Sequence, residues 1–245
     1  MVTESSKDTE PAVAAVPAGE RTAEQLRERI LEGHLPPGTP LRDSALSVEF
    51  AVARHTLRGA LRQLEYEGLV VYQMHKGAVV KTLSADDVHE IFRVRRALEL
   101  GAIENSSTAS AAAFERLEAT VCVAEEAVAQ KAWNQVGTAS LRFHQAVVGL
   151  FGSRSMDEFF HGILAQLRLS FAVMDDEASW QTPWIPRDRE ICDLLLSGRR
   201  EGAAALTRQY LDDSERGVLD VVRANEMNQR RPARRRRNVA NTGGQ

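Results

Sequence analysis

From Leu57 to Leu64 the apolar residues Leu57, Ala60, Leu61 and Leu64 recur at i, i+3, i+4 and i+7, and Arg54, His55, Arg58 and Arg62 thread through the same segment. That spacing turns one stripe of a helix toward a core and leaves a basic outer face. Upstream, Leu26, Ile30 and Leu31 mark one side of a helix that starts near Arg21, and "LPPGTPL" ends it with three prolines and a glycine. A short second helix is expected from Asp43 or Ser44, either able to cap it, through Leu46 and Phe50. After Gly68 the pattern changes: "LVVYQ" and "AVVKTL" are rich in β-branched residues and flank "MHKG", which predicts a hairpin with its turn at Gly77. Three helices followed by a hairpin make a winged helix-turn-helix over residues 20–83.

Beyond Ser84 strand-like runs disappear. Helical patterns follow one another over about 85–105, 111–131, 134–151, 155–175, 187–198 and 200–223, so residues 84–226 are expected to form an all-α bundle. "SWQTPWIP" reads as a packed loop carrying two tryptophans. Residues 1–19 and 227–245 show no periodic apolar pattern and are expected to be a disordered arm and a disordered basic tail. The fold class is therefore mainly α, a winged helix-turn-helix followed by a helical bundle.

Charge sharpens the picture. The formal net charge of the 245 residues is only -3, but residues 50–82 hold five basic residues against two acidic ones, and residues 228–245 hold six arginines and no acid. The rest of the chain has 20 basic and 32 acidic residues. A basic head on an acidic body is what a phosphate-binding module joined to a different domain looks like. No apolar run approaches the length of a membrane span, and the N-terminus lacks the charged head and apolar core of a signal peptide, so a cytoplasmic protein without a membrane partner is expected. Cys122 and Cys192 stand far apart in no metal-like spacing and read as two buried free thiols.

The segment "ILEGHLPPGTPLRDSALSVEFAVARHTLRGALRQLEYEGLV" resembles the DNA-binding domain of GntR-family bacterial transcription regulators. The helical half is similar to the FCD effector domain of the FadR-like subfamily, through "RRALE", "LRFHQAVVGLFGS" and "REICDLLLSGRREGAAALTRQYL". The resemblance implies a third helix in the major groove of double-stranded operator DNA, with Arg54, His55, Thr56 and Arg58 at its reading face. Arg54 and Arg58, four residues apart, project from one side, and either guanidinium matches the O6 and N7 of guanine or a phosphate. Lys76 and Gly77 would bring the wing to the minor groove or backbone, and Arg42 would reach a phosphate from the start of the second helix. Two positions depart from the family pattern. Ala53 stands where Ser or Thr is usual, and Gly59 where Glu is common. They are expected to cost roughly 1 kcal/mol each, in capping and in helix propensity.

Effector domains of this type often hold a divalent metal through an Asp four residues before a His and two later His. The corresponding positions are Ser140, His144, Asp188 and Tyr210, of which only His144 is the usual ligand. Hydroxyls are poor ligands unless activated, so no metal or other cofactor is expected, and the four residues are read as a hydrogen-bonding effector pocket. Asp157 and His161 repeat the i, i+4 spacing but fall on the following helix and are read as structural or exposed. Arg95 lies on the apolar stripe Ile91, Arg95, Leu98, Ala102, with two readings: a salt bridge to Glu99, or capture of an effector carboxylate. The implied protein is a homodimeric transcription regulator, a repressor, responsive to a small carboxylic acid. The alternative is a regulator of the same fold that has lost ligand sensing. An enzyme using His144 and Asp188 has only residue type behind it, since no nucleophile elbow, phosphate loop or zinc-protease motif occurs.

Overall fold

The computed structural model describes residues 16–230 apart from Val173 and Asp175. Most of the expected arm and all of the tail beyond Arg230 lie outside the described residues. The first helix, α1 (Ala18–Leu31), begins three residues before Arg21 and buries Leu26, Ile30 and Leu31 as its spacing requires. Helix α2 (Asp43–Glu49) departs from expectation at its start: Arg42 occupies the cap position and no side chain caps the helix. The reason is local. Asp43 is the first helical residue, and its carboxylate accepts a hydrogen bond from Arg58 Nε at 3.1 Å. Ala51, at φ 51, makes the tight turn into α3 (Arg54–Tyr66), which buries Leu57, Ala60, Leu61 and Leu64 and has no side-chain cap at Ala53.

Strands β1 (Val70–Gln73) and β2 (Gly77–Val80) pair antiparallel, Val70 opposite Val80 and Gln73 opposite Gly77. The turn is Met74–Lys76, with His75 at φ 65 and Gly77, at φ 75, opening β2 rather than sitting at the apex. The segment before α2 lies along β2: Pro40 bridges Val79, and Leu41 N donates to Ala78 O at 2.8 Å.

Helix α4 (Ala85–Asn105) starts on a capping box in which Ser84 and Asp87 satisfy each other's backbone N–H groups. A 3-10 turn (Ser106–Thr108) follows, then α5 (Ala111–Ala129), α6 (Trp133–Gly149), α7 (Arg154–Phe171), α8 (Glu177–Gln181), α9 (Ile185–Leu196) and α10 (Arg200–Arg230). Two expectations change here. "SWQTPWIP" is not a loop throughout: Ser179–Gln181 belong to α8, whose start is capped by Asp176 accepting from Ser179 N, and Pro186 sits in the first turn of α9. Proline is tolerated there because the first helical N–H groups have no intrahelical acceptor. Helix α10 continues seven residues beyond the last expected one, through Ala224, Glu226 and Met227, which favour helix without adding to the apolar stripe.

Helix α4 packs on α10, α6 on α5 and α7, and α9 on α5 and α10. Phe92, Ile103, Val121, Phe143, Phe160, Leu211 and Val218 fill the space between them. The head docks on this body through α1 against α7. Gln166 Nε2 on α7 donates to Glu67 O at 2.7 Å, and Thr138 Oγ1 on α6 donates to Leu31 O at 3.1 Å. Gly33, at φ 78, passes so close to the Arg168 guanidinium that a Cβ there would overlap it. No helix of the described residues is long and apolar enough to cross a membrane.

Candidate nucleic-acid interface and buried polar site

Amphipathic α3 is held by its buried leucines and turns Arg54, His55, Arg58 and Arg62 to solvent. Thr56 is half-buried and lies against Gly19 of α1, so it faces the head's own core more than the other three. Arg58 is steered across the α2–α3 corner by Asp43, which leaves the terminal nitrogens of its fork for an acceptor. Arg42 is exposed where α2 begins, and Lys76 and Gly77 are exposed at the hairpin tip, beside Met74 at 85% exposure. Basic residues from the recognition helix, the start of α2 and the wing are thus all solvent-facing, as phosphate and base-edge contacts require.

The second site is interior. Arg95 and Glu99 lie one turn apart on α4, and Arg95 Nε donates to Glu99 Oε1 at 2.7 Å. The other oxygen of Glu99 meets His144 Nδ1 on α6 at 2.7 Å. Burial works against the charge on Glu99, but Arg95 and His144 outweigh it and hold the carboxyl below its usual range. An ionised Glu99 accepts, so Nδ1 carries the imidazole proton. Burial, and to a lesser degree Arg95, lowers the His144 pKa against the pull of Glu99, so the ring stays neutral at neutral pH and Nε2 presents a lone pair. That lone pair faces Asp188 Oδ1 on α9 at 3.7 Å. Burial pushes the Asp188 carboxyl well above its usual range; the hydrogen bond from Ser140 and the charge of Arg95 offset this only in part.

Ser140 Oγ donates to Asp188 Oδ2 at 2.7 Å, and the Tyr210 hydroxyl lies 3.4 Å from Ser140 Oγ. Ser140 has spent its one proton, so Tyr210 is the donor of that longer contact. The Tyr210 ring packs on His144 at 4.7 Å and on Trp184 at 4.9 Å between centroids. Arg95 Nη2, His144 Nε2 and Asp188 Oδ1 are buried without a hydrogen-bond partner, as is Thr207 Oγ1.

Residues 18–80 match the gntR family of bacterial regulatory proteins, and residues 90–213 match the FCD domain. The chain belongs to the GntR family and carries an FCD domain. It is a DNA-binding transcription regulator of the helix-turn-helix type. A GntR transcriptional regulator from Rhodococcus sp. RHA1 superimposes with a TM-score of 0.75 at 31% identity, over 82% of this chain and 97% of that one. The HTH-type transcriptional regulator BphR of Paraburkholderia xenovorans (strain LB400) is 26% identical over 209 residues, 78% of this chain and 85% of BphR. The gluconate operon transcriptional repressor of Bacillus licheniformis is 36% identical over 92 residues, 38% of this chain and 37% of the repressor. Several curated relatives are thus matched over only about a third of their length. The family members it resembles are regulators rather than enzymes.

In this GntR-family protein the donor set does not fit the metal that such effector domains often hold. Ser140 and Tyr210 offer hydroxyls, and burial, with the charge of Asp188, drives the Tyr210 phenol pKa well up, away from the phenolate a metal needs. His144 and Asp188 alone leave a two-ligand set.

The structure brings together Arg95, Ser140, His144, Asp188 and Tyr210 as a cluster. Glu99 joins it as the centre of the network, a role its i, i+4 spacing to Arg95 did not disclose. Trp184, from the stretch read as a plain connector, walls the cluster. Its only trace in the sequence is an aromatic beside a helix-starting proline.

Proposed function

We propose that this regulator represses transcription in the cytoplasm by gripping a near-palindromic operator as a homodimer, and that a small organic acid bound among Arg95, Ser140, His144, Asp188 and Tyr210 alters that grip. One observation carries the effector reading: Arg95 Nη2, His144 Nε2 and Asp188 Oδ1 are three unpartnered polar atoms inside one buried cluster. Each unmade hydrogen bond in an interior costs about 1–3 kcal/mol, so a guest that completes them is stabilised. A carboxylate suits the guanidinium, and a hydroxyl or a second acidic group suits the imidazole nitrogen and Asp188.

Coupling to the head has two routes. Arg95 and Glu99 ride on α4, which starts directly after the wing, and Ser140 and His144 ride on α6, whose Thr138 is bonded to the end of α1. An acid that favours one arrangement of these helices shifts the population of head positions by its differential affinity. Dimerisation is part of the reading because one recognition helix offers few base contacts, and two at a fixed spacing double them.

Thermal-shift measurements against small carboxylic acids, followed by gel shifts on operator DNA recovered by sequencing the genomic fragments the protein retains, test this. A binding acid is expected, and Arg95→Ala should abolish its effect on operator affinity. The second reading, a regulator without a ligand, draws on the Arg95–Glu99 pair, which already satisfies part of the guanidinium. Operator binding with no response to any acid would establish it.

A further inference from the structure

A different cluster lies where the DNA-binding head meets the helical body. Glu24 and Glu28 stand one turn apart on α1, and His161 reaches them from α7. His161 Nε2 is 3.0 Å from Glu28 Oε1 and 3.7 Å from Glu24 Oε1. One ligating atom from each of the three residues lies within 4.8 Å of the others. We propose that Glu24, Glu28 and His161 form a divalent transition-metal site that fastens the head to the body, separate from the effector cluster and independent of it.

Three observations carry this. His161 is half-buried, and its solvent-shielded Nε2 makes no well-aligned hydrogen bond although two carboxylate oxygens converge on it and its proximity holds the Glu28 carboxyl below its usual range. With its proton on Nδ1, the imidazole presents the Nε2 lone pair beside two carboxylate oxygens, and three acceptors converging on one point call for something electropositive between them. Next, each carboxylate is oriented from behind. Glu24 Oε2 accepts from Arg27 Nη1, and Glu28 has its Oε2 3.5 Å from Arg142 Nη2, which leaves both Oε1 atoms for the shared point. Outer partners that fix a carboxylate in this way are a recurring feature of metal sites. Lastly, the cluster borders a cavity of about 620 Å³ whose lining carries five carboxylates and three arginines, so the local field favours a cation despite the arginines.

A first-row ion about 2.0–2.2 Å from each donor would set the donors roughly 3–3.5 Å apart, close to the distances already present. One imidazole and two carboxylates suit zinc, manganese or iron, with the remaining positions open to water on the cavity side. Such an ion would add a further tie between the domains, beside those from Gln166 to Glu67, from Thr138 to Leu31 and from Arg142 to Glu28. The alternative occupant is a proton, which would make His161 a plain ion-pair partner of Glu28.

Isothermal titration of Zn²⁺ into the chelator-stripped full-length protein distinguishes the two. One ion per chain at micromolar or tighter affinity is expected. His161→Ala and Glu28→Gln should each weaken binding at least tenfold, with circular dichroism confirming that both variants fold. Co²⁺ in place of Zn²⁺ should give visible absorption bands that disappear in His161→Ala. His144→Ala should retain the site, which separates it from the effector cluster. Absence of micromolar Zn²⁺ binding, or unchanged binding in both folded variants, would overturn the proposal and leave His161 as an ion pair. Neither operator nor acid enters the measurement, so its outcome is independent of the proposed repression and effector response.

Discussion

Glu99 shows how much a single buried carboxylate can organise. It holds a guanidinium on its own helix and an imidazole 45 residues away, both at 2.7 Å. The first contact is readable from i, i+4 spacing; the second depends on how α4 and α6 cross, which no local pattern encodes. The same distinction explains His161. Its spacing from Asp157 was legible, while its partners on α1 come from domain docking. The protonation states of the cluster have a testable consequence. His144 keeps its pKa depressed in the fold, so on acidification below about pH 6.5 the unfolded chain takes up a proton that the folded site refuses. This contribution to stability is complete above the unfolded value and is lost as pH falls toward the folded one, by at most about 1.4 kcal/mol per pH unit. Asp188, raised, has the opposite sign: its contribution is full below the ordinary carboxylate range and is lost as pH rises through its folded value. Urea unfolding of the wild type and His144→Gln between pH 7.5 and 5 should therefore show a shallower acid-side loss in the variant. Equal slopes would mean that His144 titrates normally in the fold.

At the level of elements, α3 combines a strong amphipathic stripe with a weak start and a weak middle. Ala53 provides no cap, and Gly59 is exposed with open space where a side chain would stand. Gly59→Ala should then raise stability by about 0.5–1 kcal/mol, the usual propensity difference, because the added methyl meets nothing. A melting temperature equal to or below that of the wild type would refute this. Arg58→Ala belongs to the same helix and tests its role. The fork is exposed and only loosely held by Asp43, so its loss should spare the fold and weaken operator binding by about 1–3 kcal/mol. An unchanged gel-shift affinity would remove Arg58 from the interface. The long helices were legible because their apolar stripes persist over several turns. The short α8, at five residues, is too brief for periodicity to register, and its cap from Asp176 is a single side chain. The end of α10 escaped for the converse reason: Ala224 and Met227 are exposed and extend no apolar stripe, so only propensity marks it as helix.

Across the whole molecule, two domains with different charge share a docked interface, and most of that division was readable from sequence. The body carries an excess of acidic residues, so in the proposed reading the electrostatic part of DNA binding falls to the head and to the arginines beyond α10. Cutting after Arg230 removes Arg231, Arg234, Arg235, Arg236 and Arg237 while leaving the helix intact. Each arginine that neutralises a phosphate releases condensed counterions and steepens the fall of log K with log salt by about 0.9. The shortened protein should therefore show a flatter salt dependence and weaker binding at low salt. Its preference among operator variants should not change, because in the proposed reading base edges are left to α3 and the wing. Fluorescence anisotropy on one operator and one scrambled duplex, each at several salt concentrations, measures both quantities. A salt slope equal to that of the full chain would make the tail a solvated appendage. A lost preference for the operator would give it a share in base reading that phosphate contacts alone do not provide.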